Sequence, residues 1–156
     1  MTKTEIIQIF AGFVGTMGFA VLFNIRGIKL FITSLGGFIA WLLFVLLSKC
    51  IFSEPIIYFI VALIVSLFAE IMARVIKTPT STFIITSLVP LIPGSSLYYT
   101  MAYAFQQDFE SFVQKGIYTL YLAAALALGI IVSTTMTRCY IKMWRKKHSK
   151  LISKCL

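Results

Sequence analysis

Two ionisable side chains lie inside an otherwise apolar stretch of this chain and could carry chemistry. Glu70 and Arg74 are four residues apart, which places them on one face of a helix. One interpretation is a structural ion pair, with the long arginine side chain reaching towards lipid headgroups. The other is that an intramembrane carboxylate marks a path for protons or substrate. The sequence leaves both open, and Glu70 and Arg74 are the residues predicted for proton or ion coupling.

A second chemical feature is the break that Pro90 and Pro93 introduce into the apolar segment from Thr82 to Tyr103. A proline within a helix lacks an amide donor and pushes on the carbonyl one turn earlier. The two prolines are therefore expected to free the carbonyls of Thr86 and Val89. Because lipid cannot satisfy such groups, they must be buried in protein or line a wet cavity. The segment predicts a broken span on a transport pathway, and a kink that serves packing alone is the alternative.

The two half-helices at this break offer complementary groups for a small zwitterion. The second half would begin near Pro93, with the free amides of Gly94, Ser95 and Ser96 pointing inwards, which suits a carboxylate. The first half would offer loose carbonyls and the hydroxyls of Thr86 and Ser87, which suit an ammonium or a hydroxyl group. The predicted substrate-binding residues are Thr86, Ser87, Pro90, Pro93, Gly94, Ser95, Ser96 and Tyr99.

Composition indicates which elements position these residues. Hydrophobic residues make up 60% of the chain, charged residues make up 12%, and the mean hydropathy is +0.96. These values exclude an ordinary water-soluble domain and predict an all-α integral membrane protein. The sequence has no HExxH or GxSxG motif, its single histidine, His148, lies in a basic tail, and its cysteines have no CxxC spacing. We therefore predict no enzyme activity, no catalytic or metal site and no cofactor.

The apolar runs predict five membrane spans of about 20 residues each. They cover residues 5–23, 28–47, 55–75, 80–105 and 116–137, with the fourth discontinuous at Pro90 and Pro93 and the last preceded by a break at 106–115. The predicted transmembrane domain is 1–137, and a basic cytoplasmic tail follows at 138–156.

The distribution of basic residues predicts the orientation of these spans. With five crossings and a cytoplasmic C-terminus, eleven of the 14 Lys and Arg residues lie on the cytoplasmic side. A re-entrant hairpin at 82–103 would leave four crossings and a weaker bias of nine against five. We therefore predict that the N-terminus is outside and the C-terminus is cytoplasmic. The tail is interpreted as an anchor to the headgroups of the lipid bilayer, and no nucleic-acid partner is predicted.

The stretch AEIMARVIKTPTSTFIITSLVPLIPGSSLYYTM, which begins at Ala69, resembles the signature of the threonine/serine exporter (ThrE) family. Its length and five-span layout resemble the short, C-terminal-half type of this family. The family motif falls here on Glu70, Arg74, Lys77, Pro79, Pro90, Pro93 and Gly94.

The resemblance implies one subunit of a two-component secondary exporter in a bacterial inner membrane. A larger membrane subunit would supply the N-terminal half, and the proton gradient would drive export of threonine and serine. A five-span half reverses the orientation of whatever follows it, so two such halves would form an inverted repeat with the site at their interface. Export of small dicarboxylates such as succinate is the alternative within this class. A non-transporting membrane scaffold or assembly factor is the alternative from another class.

Overall fold

The computed structural model describes the backbone of residues 3–152 and the side chains of residues 3–143. Every regular element in this range is helical. The helices are α1 (Lys3–Leu22), α2 (Ile28–Leu47), α3 (Glu54–Val75), α4 (Thr80–Leu88), α5 (Gly94–Phe105) and α6 (Phe109–Ile152), with a 3₁₀ turn at Val89–Leu91. Among the described residues, α1, α2, α3 and α6 are each long and apolar enough to cross a membrane. This confirms the predicted all-α membrane fold.

The fourth predicted span is present as a bent pair. Thr80–Leu91 and Gly94–Phe105 together pass the same test of length and composition, and their axes differ by 63°. The pair begins beside the α1–α2 loop, because Thr78 and Pro79 share a cavity with Arg26. It finishes beside the start of α3, because Tyr103 shares a different cavity with Glu54. The pair therefore runs from one end of the bundle to the other, as a broken span does and a re-entrant hairpin does not.

The two ends of the bundle, named here the Arg26 end and the Glu54 end, differ in charge. The basic residues Arg26, Lys29 and Lys77 lie in or next to loops at the Arg26 end. At the Glu54 end, the ammonium of Lys49 pairs with the carboxylate of Glu5 at 2.8 Å. This pair joins the start of α1 to the α2–α3 loop.

Helix α3 forms the centre of the bundle. Its buried apolar residues recur at three- to four-residue spacing, which is the pattern of a continuous helical face: Ile57, Val61, Ala62, Val65, Ala69 and Ala73. Around it pack α2, α4 and α6. In contrast, α1 buries only Ile9, Thr16 and Ala20 and leaves most of its apolar side chains for lipid or another protein.

Helix α6 lies close against α3 because a glycine stands at their contact. A Cβ atom on Gly129 would approach the Phe59 carbonyl oxygen to 2.7 Å and the Ala62 Cβ to 2.8 Å. Such distances are too short for any larger residue without a shift of backbone. Gly129 therefore fixes how closely the two central helices approach each other.

The connection before α6 is shorter than predicted, and the helix is longer. The break predicted at 106–115 is confined to Gln106–Asp108, and α6 begins at Phe109. Asp108 starts the helix because its carboxylate accepts the Ser111 amide at 3.2 Å and its carbonyl accepts the Phe112 amide at 3.0 Å. Helix α6 then passes the predicted domain boundary at 137 without a break. Most side chains of the predicted headgroup anchor lie outside the described residues.

Candidate functional site

The break between α4 and α5 satisfies its backbone more fully than the sequence predicts. The carbonyl of Thr86 accepts the Val89 amide, and the carbonyl of Val89 accepts the Ile92 amide at 3.2 Å. The expectation that the prolines leave both carbonyls loose is therefore wrong. Because the chain tightens into a 3₁₀ turn, bonds to the third residue along replace those that the prolines cannot make.

The start of α5 presents two amides and not three. Pro93 has φ −73° and ψ 60°, which form an inverse γ-turn, and the Gly94 amide donates across it to the Ile92 carbonyl at 2.7 Å. The amides of Ser95 and Ser96 belong to the first helical turn and have no acceptor within the helix. A Cβ on Gly94 would meet no atom within 4 Å, so the backbone is open to approach on that side.

A polar cavity of about 590 Å³ lies at the Glu54 end, between α3, α5 and α6; we call it the Glu54 cavity. It extends from Ser111 to Leu122 on α6, a depth of about 16 Å at 1.5 Å per residue. Of the predicted site residues it gathers Pro93, Ser95, Ser96 and Tyr99. The other groups that give it polar character are Glu54, Tyr58, Tyr103, Gln114, Lys115 and Tyr118.

A second cavity, of about 680 Å³, opens towards the Arg26 end; we call it the Glu70 cavity. Its wall is mostly apolar side chains of α4, α5 and α6, with Glu70, Arg74 and Arg138 among its charged residues. The side chain of Glu70 is 3% exposed, and its Oε2 lies 3.2 Å from Nη2 of Arg74, which is 44% exposed. The predicted i,i+4 pair is therefore present, and its carboxylate faces a cavity.

The two cavities meet where α5 touches α6. Pro93 lines both of them, and three buried hydroxyls tie the helices together beside it. The Oγ1 of Thr119 lies 2.7 Å from the Oγ of Ser96 and 3.3 Å from the Oγ1 of Thr100. The Thr119 Oγ1 also lies within hydrogen-bond distance of the Lys115 carbonyl, at 2.8 Å. Pro93 and these hydroxyls form a barrier between the cavities, named here the hydroxyl barrier.

Four predicted substrate-binding residues line neither cavity, and Gly94 at the start of α5 is one of them. The Thr86 hydroxyl donates to the Thr82 carbonyl within α4, and the Ser87 hydroxyl donates to the Thr33 carbonyl of α2 at 3.4 Å. Pro90 lines a smaller cavity on the α1 and α2 side of the break. A substrate role for these residues stays a prediction.

A comparison with protein families identifies the context of this arrangement. A family model described as Threonine/Serine exporter, ThrE, matches residues 8–136. The chain belongs to the threonine/serine exporter family. The matched range starts within α1 and ends within α6, so it contains the broken span and nearly all the lining of both cavities. No curated protein and no solved structure matches the chain.

Membership of the threonine/serine exporter family confirms the resemblance inferred from the motif beginning at Ala69. The family is one of transporters, so the chain is a multi-pass membrane protein of amino-acid transport and export.

The sequence did not predict that α6 of this threonine/serine exporter family protein contributes residues to both cavities. Ser111, Lys115 and Thr119 follow each other at four-residue spacing, and all three line a cavity. That polar stripe was a visible signal. The role of Glu54 had no comparable signal, because the residue is placed by a contact with a residue far along the chain.

The hydrogen bonding between Asp108 and Ser111 at the start of α6 also changes the pKa of the Asp108 carboxyl. The Ser111 side chain, followed by its backbone amide, lowers the pKa of Asp108 below its usual value. Asp108 therefore stays ionised to a lower pH than a free aspartate and holds the first turn of α6, where Ser111 lines the Glu54 cavity.

Proposed function

We propose that this chain is the small membrane subunit of a two-component secondary exporter of small polar metabolites, with threonine and serine as its favoured substrates. Export is driven by the proton gradient. The family supports the transporter class, and the arrangement of the two cavities supports this particular role.

The observation that carries the proposal is the pair of cavities that α6 lines one after the other along its length. From Ser111 to Arg138 they cover about 40 Å of the helix, close to the full thickness of a bilayer with its headgroups. They are separated at the hydroxyl barrier, beside the broken span. A substrate would pass between them at Pro93, where the free amides of Ser95 and Ser96 offer a seat for its carboxylate.

Glu70 and Arg74 are the proposed coupling residues. A carboxylate that is almost fully buried yet faces a cavity can exchange a proton with solvent in that cavity. Protonation would weaken its hold on Arg74, which is exposed enough to remain solvated alone. The ion pair can therefore break and reform as the transporter cycles.

The chain works with a larger subunit that supplies the other half of an inverted repeat. The mostly exposed face of α1 is an apolar surface that such a partner would cover. The proposed location is a bacterial inner membrane, with the Glu54 end outside and the Arg26 end in the cytoplasm.

The test is efflux of labelled threonine, serine and succinate from cells that express this chain with the larger family subunit of the same genome. We expect threonine and serine efflux that requires both subunits and stops when a protonophore collapses the gradient. Each subunit alone is the control. Succinate efflux without amino-acid efflux would replace the proposal with a dicarboxylate exporter. An assembled complex that moves none of the three would favour the scaffold.

A further inference from the structure

We infer that Glu54 is the residue that recognises the ammonium of the transported amino acid, and that it selects zwitterions over dicarboxylates. The inference rests on the proposed function and deepens it. It gives the Glu54 cavity a complete set of groups for an α-amino acid, where the sequence leaves amino acids and dicarboxylates unresolved.

The need for a group that binds the ammonium follows from the structure of the break between α4 and α5. The carbonyls of Thr86 and Val89 were expected to be free to bind the ammonium. In the structure they already accept amides of the 3₁₀ turn. The hydroxyls of Thr86 and Ser87 donate to backbone carbonyls, and neither residue lines the Glu54 cavity. A substrate whose carboxylate sits at the start of α5 must therefore find another acceptor for its positive charge.

Glu54 is the one carboxylate among the described residues that line the Glu54 cavity. It lies in the first turn of α3, and its Oε2 accepts the hydroxyl of Tyr118 from α6. This bond fixes the carboxylate at the cavity wall and leaves its second oxygen for another donor. Tyr58, one turn further along α3, is buried beneath it and lines the same cavity.

The positive charge of the cavity is held apart from Glu54. The ammonium of Lys115 lies 5.5 Å from the centroid of the Tyr118 ring, so one tyrosine contacts both charged side chains. Within the part of the chain whose side chains are described, neither Glu54 nor Lys115 forms an ion pair. Two opposite charges that line one cavity without pairing complement a zwitterion, which carries the same two charges apart from each other.

The negative charge of Glu54 favours amino acids over dicarboxylates. A dicarboxylate could place its groups at the α5 amides and Lys115, but its second negative charge would then share the cavity with Glu54. An amino acid brings a positive charge to the same place. Glu54 thus attracts one class and repels the other in a cavity partly shielded from water.

The experiment measures binding of labelled serine to this chain co-purified with its larger subunit, with glycerate and succinate as competitors. Glycerate carries a hydroxyl where serine carries its ammonium. The variant Glu54→Gln keeps the shape of the side chain and an acceptor for Tyr118 but removes the charge. Glu110→Gln is the matched control, because Glu110 is an exposed acid at the same end that does not line the cavity.

We expect Glu54→Gln to weaken serine binding by about tenfold to a hundredfold, the usual cost of losing a hydrogen bond to a charged group. The preference for serine over glycerate should fall towards one, and succinate should compete better. Glu110→Gln should keep the wild-type preference. If Glu54→Gln retains the wild-type preference for serine, the inference is wrong while the proposed function stands. If the wild-type complex prefers succinate to serine, both are wrong.

A measurement on the wild-type complex covers the case in which Glu54→Gln does not assemble. A water-soluble carbodiimide modifies accessible carboxylates, and mass spectrometry of the peptide containing Glu54 reports the extent. Serine should slow modification of Glu54 and leave Glu110 unaffected, whereas glycerate should protect Glu54 much less. Equal modification of Glu54 with and without serine would overturn the inference.

Discussion

At the scale of single residues, Glu70 is distinguished because its side chain is buried and yet lines a cavity. Its carboxylate is paired with Arg74 in the manner of a surface ion pair, yet it lies on the wall of a cavity and is almost fully withdrawn from the protein surface. The pair can open at modest cost once Glu70 is protonated, because a neutral carboxyl leaves no unpaired charge in the buried position. This behaviour suits a group that must exchange protons.

We predict that Glu70→Gln abolishes export driven by a proton gradient but keeps exchange of substrate across the membrane. The amide retains the shape and can accept a hydrogen bond from Arg74, but it cannot release or take up a proton. The measurement compares efflux under an imposed pH gradient with counterflow in proteoliposomes of the complex, with Glu110→Gln as the control. Gradient-driven export at the wild-type rate would make Glu70 a structural residue.

At the scale of helices, the sequence predicts the positions of the apolar segments along the chain better than it predicts which side of each helix faces its neighbours. The span at 28–47 matches α2, and the break at Pro90 and Pro93 is present, because apolar length and proline chemistry are local properties. The bonding within the break was predicted wrongly, since a 3₁₀ turn and an α-helix differ little in local sequence preference.

The candidate site depends on which side of α4 each residue faces, and that is decided by distant neighbours. Ser87 turns into a packing contact because α2 presents Gly36, which admits Ser87 at close range. Glu54 belongs to the site because Tyr118 is brought to it by the packing of α6 on α3. Neither contact has a signal in the residues beside it along the chain.

The two prolines of the break are predicted to differ in function. Pro93 lines both cavities at the hydroxyl barrier, whereas Pro90 faces α1 and α2. Pro93→Ala should restore an amide that competes for the Val89 carbonyl and should slow export by about tenfold, a change of about 1.4 kcal/mol in the barrier. Pro90→Ala is the control and should export at close to the normal rate. The measurement is threonine efflux normalised to assembled complex, and equal losses in both variants would mean that the break acts through packing alone.

At the scale of the whole molecule, the orientation can be tested with cysteines that the chain already carries. Cys50 lies in the α2–α3 loop at the Glu54 end, and Cys139 lies on α6 towards the Arg26 end; both are exposed. In a variant with Cys155→Ser, an impermeant maleimide should label Cys50 in intact cells and Cys139 only after permeabilisation. The positive-inside distribution of Arg26, Lys29 and the tail is the reason. Labelling of Cys139 in intact cells would reverse the proposed orientation.

Helix α6 has a mechanical consequence beyond lining the two cavities. It is a continuous helix of about 66 Å at 1.5 Å per residue, and Gly129 is in close contact with the α3 backbone. Ser111 lies on one side of that contact and Arg138 on the other. A tilt of α6 about Gly129 would move the two ends of the helix in opposite directions. Ser111 in the Glu54 cavity and Arg138 in the Glu70 cavity would therefore move in opposite directions, with no hydrogen bond inside the helix broken.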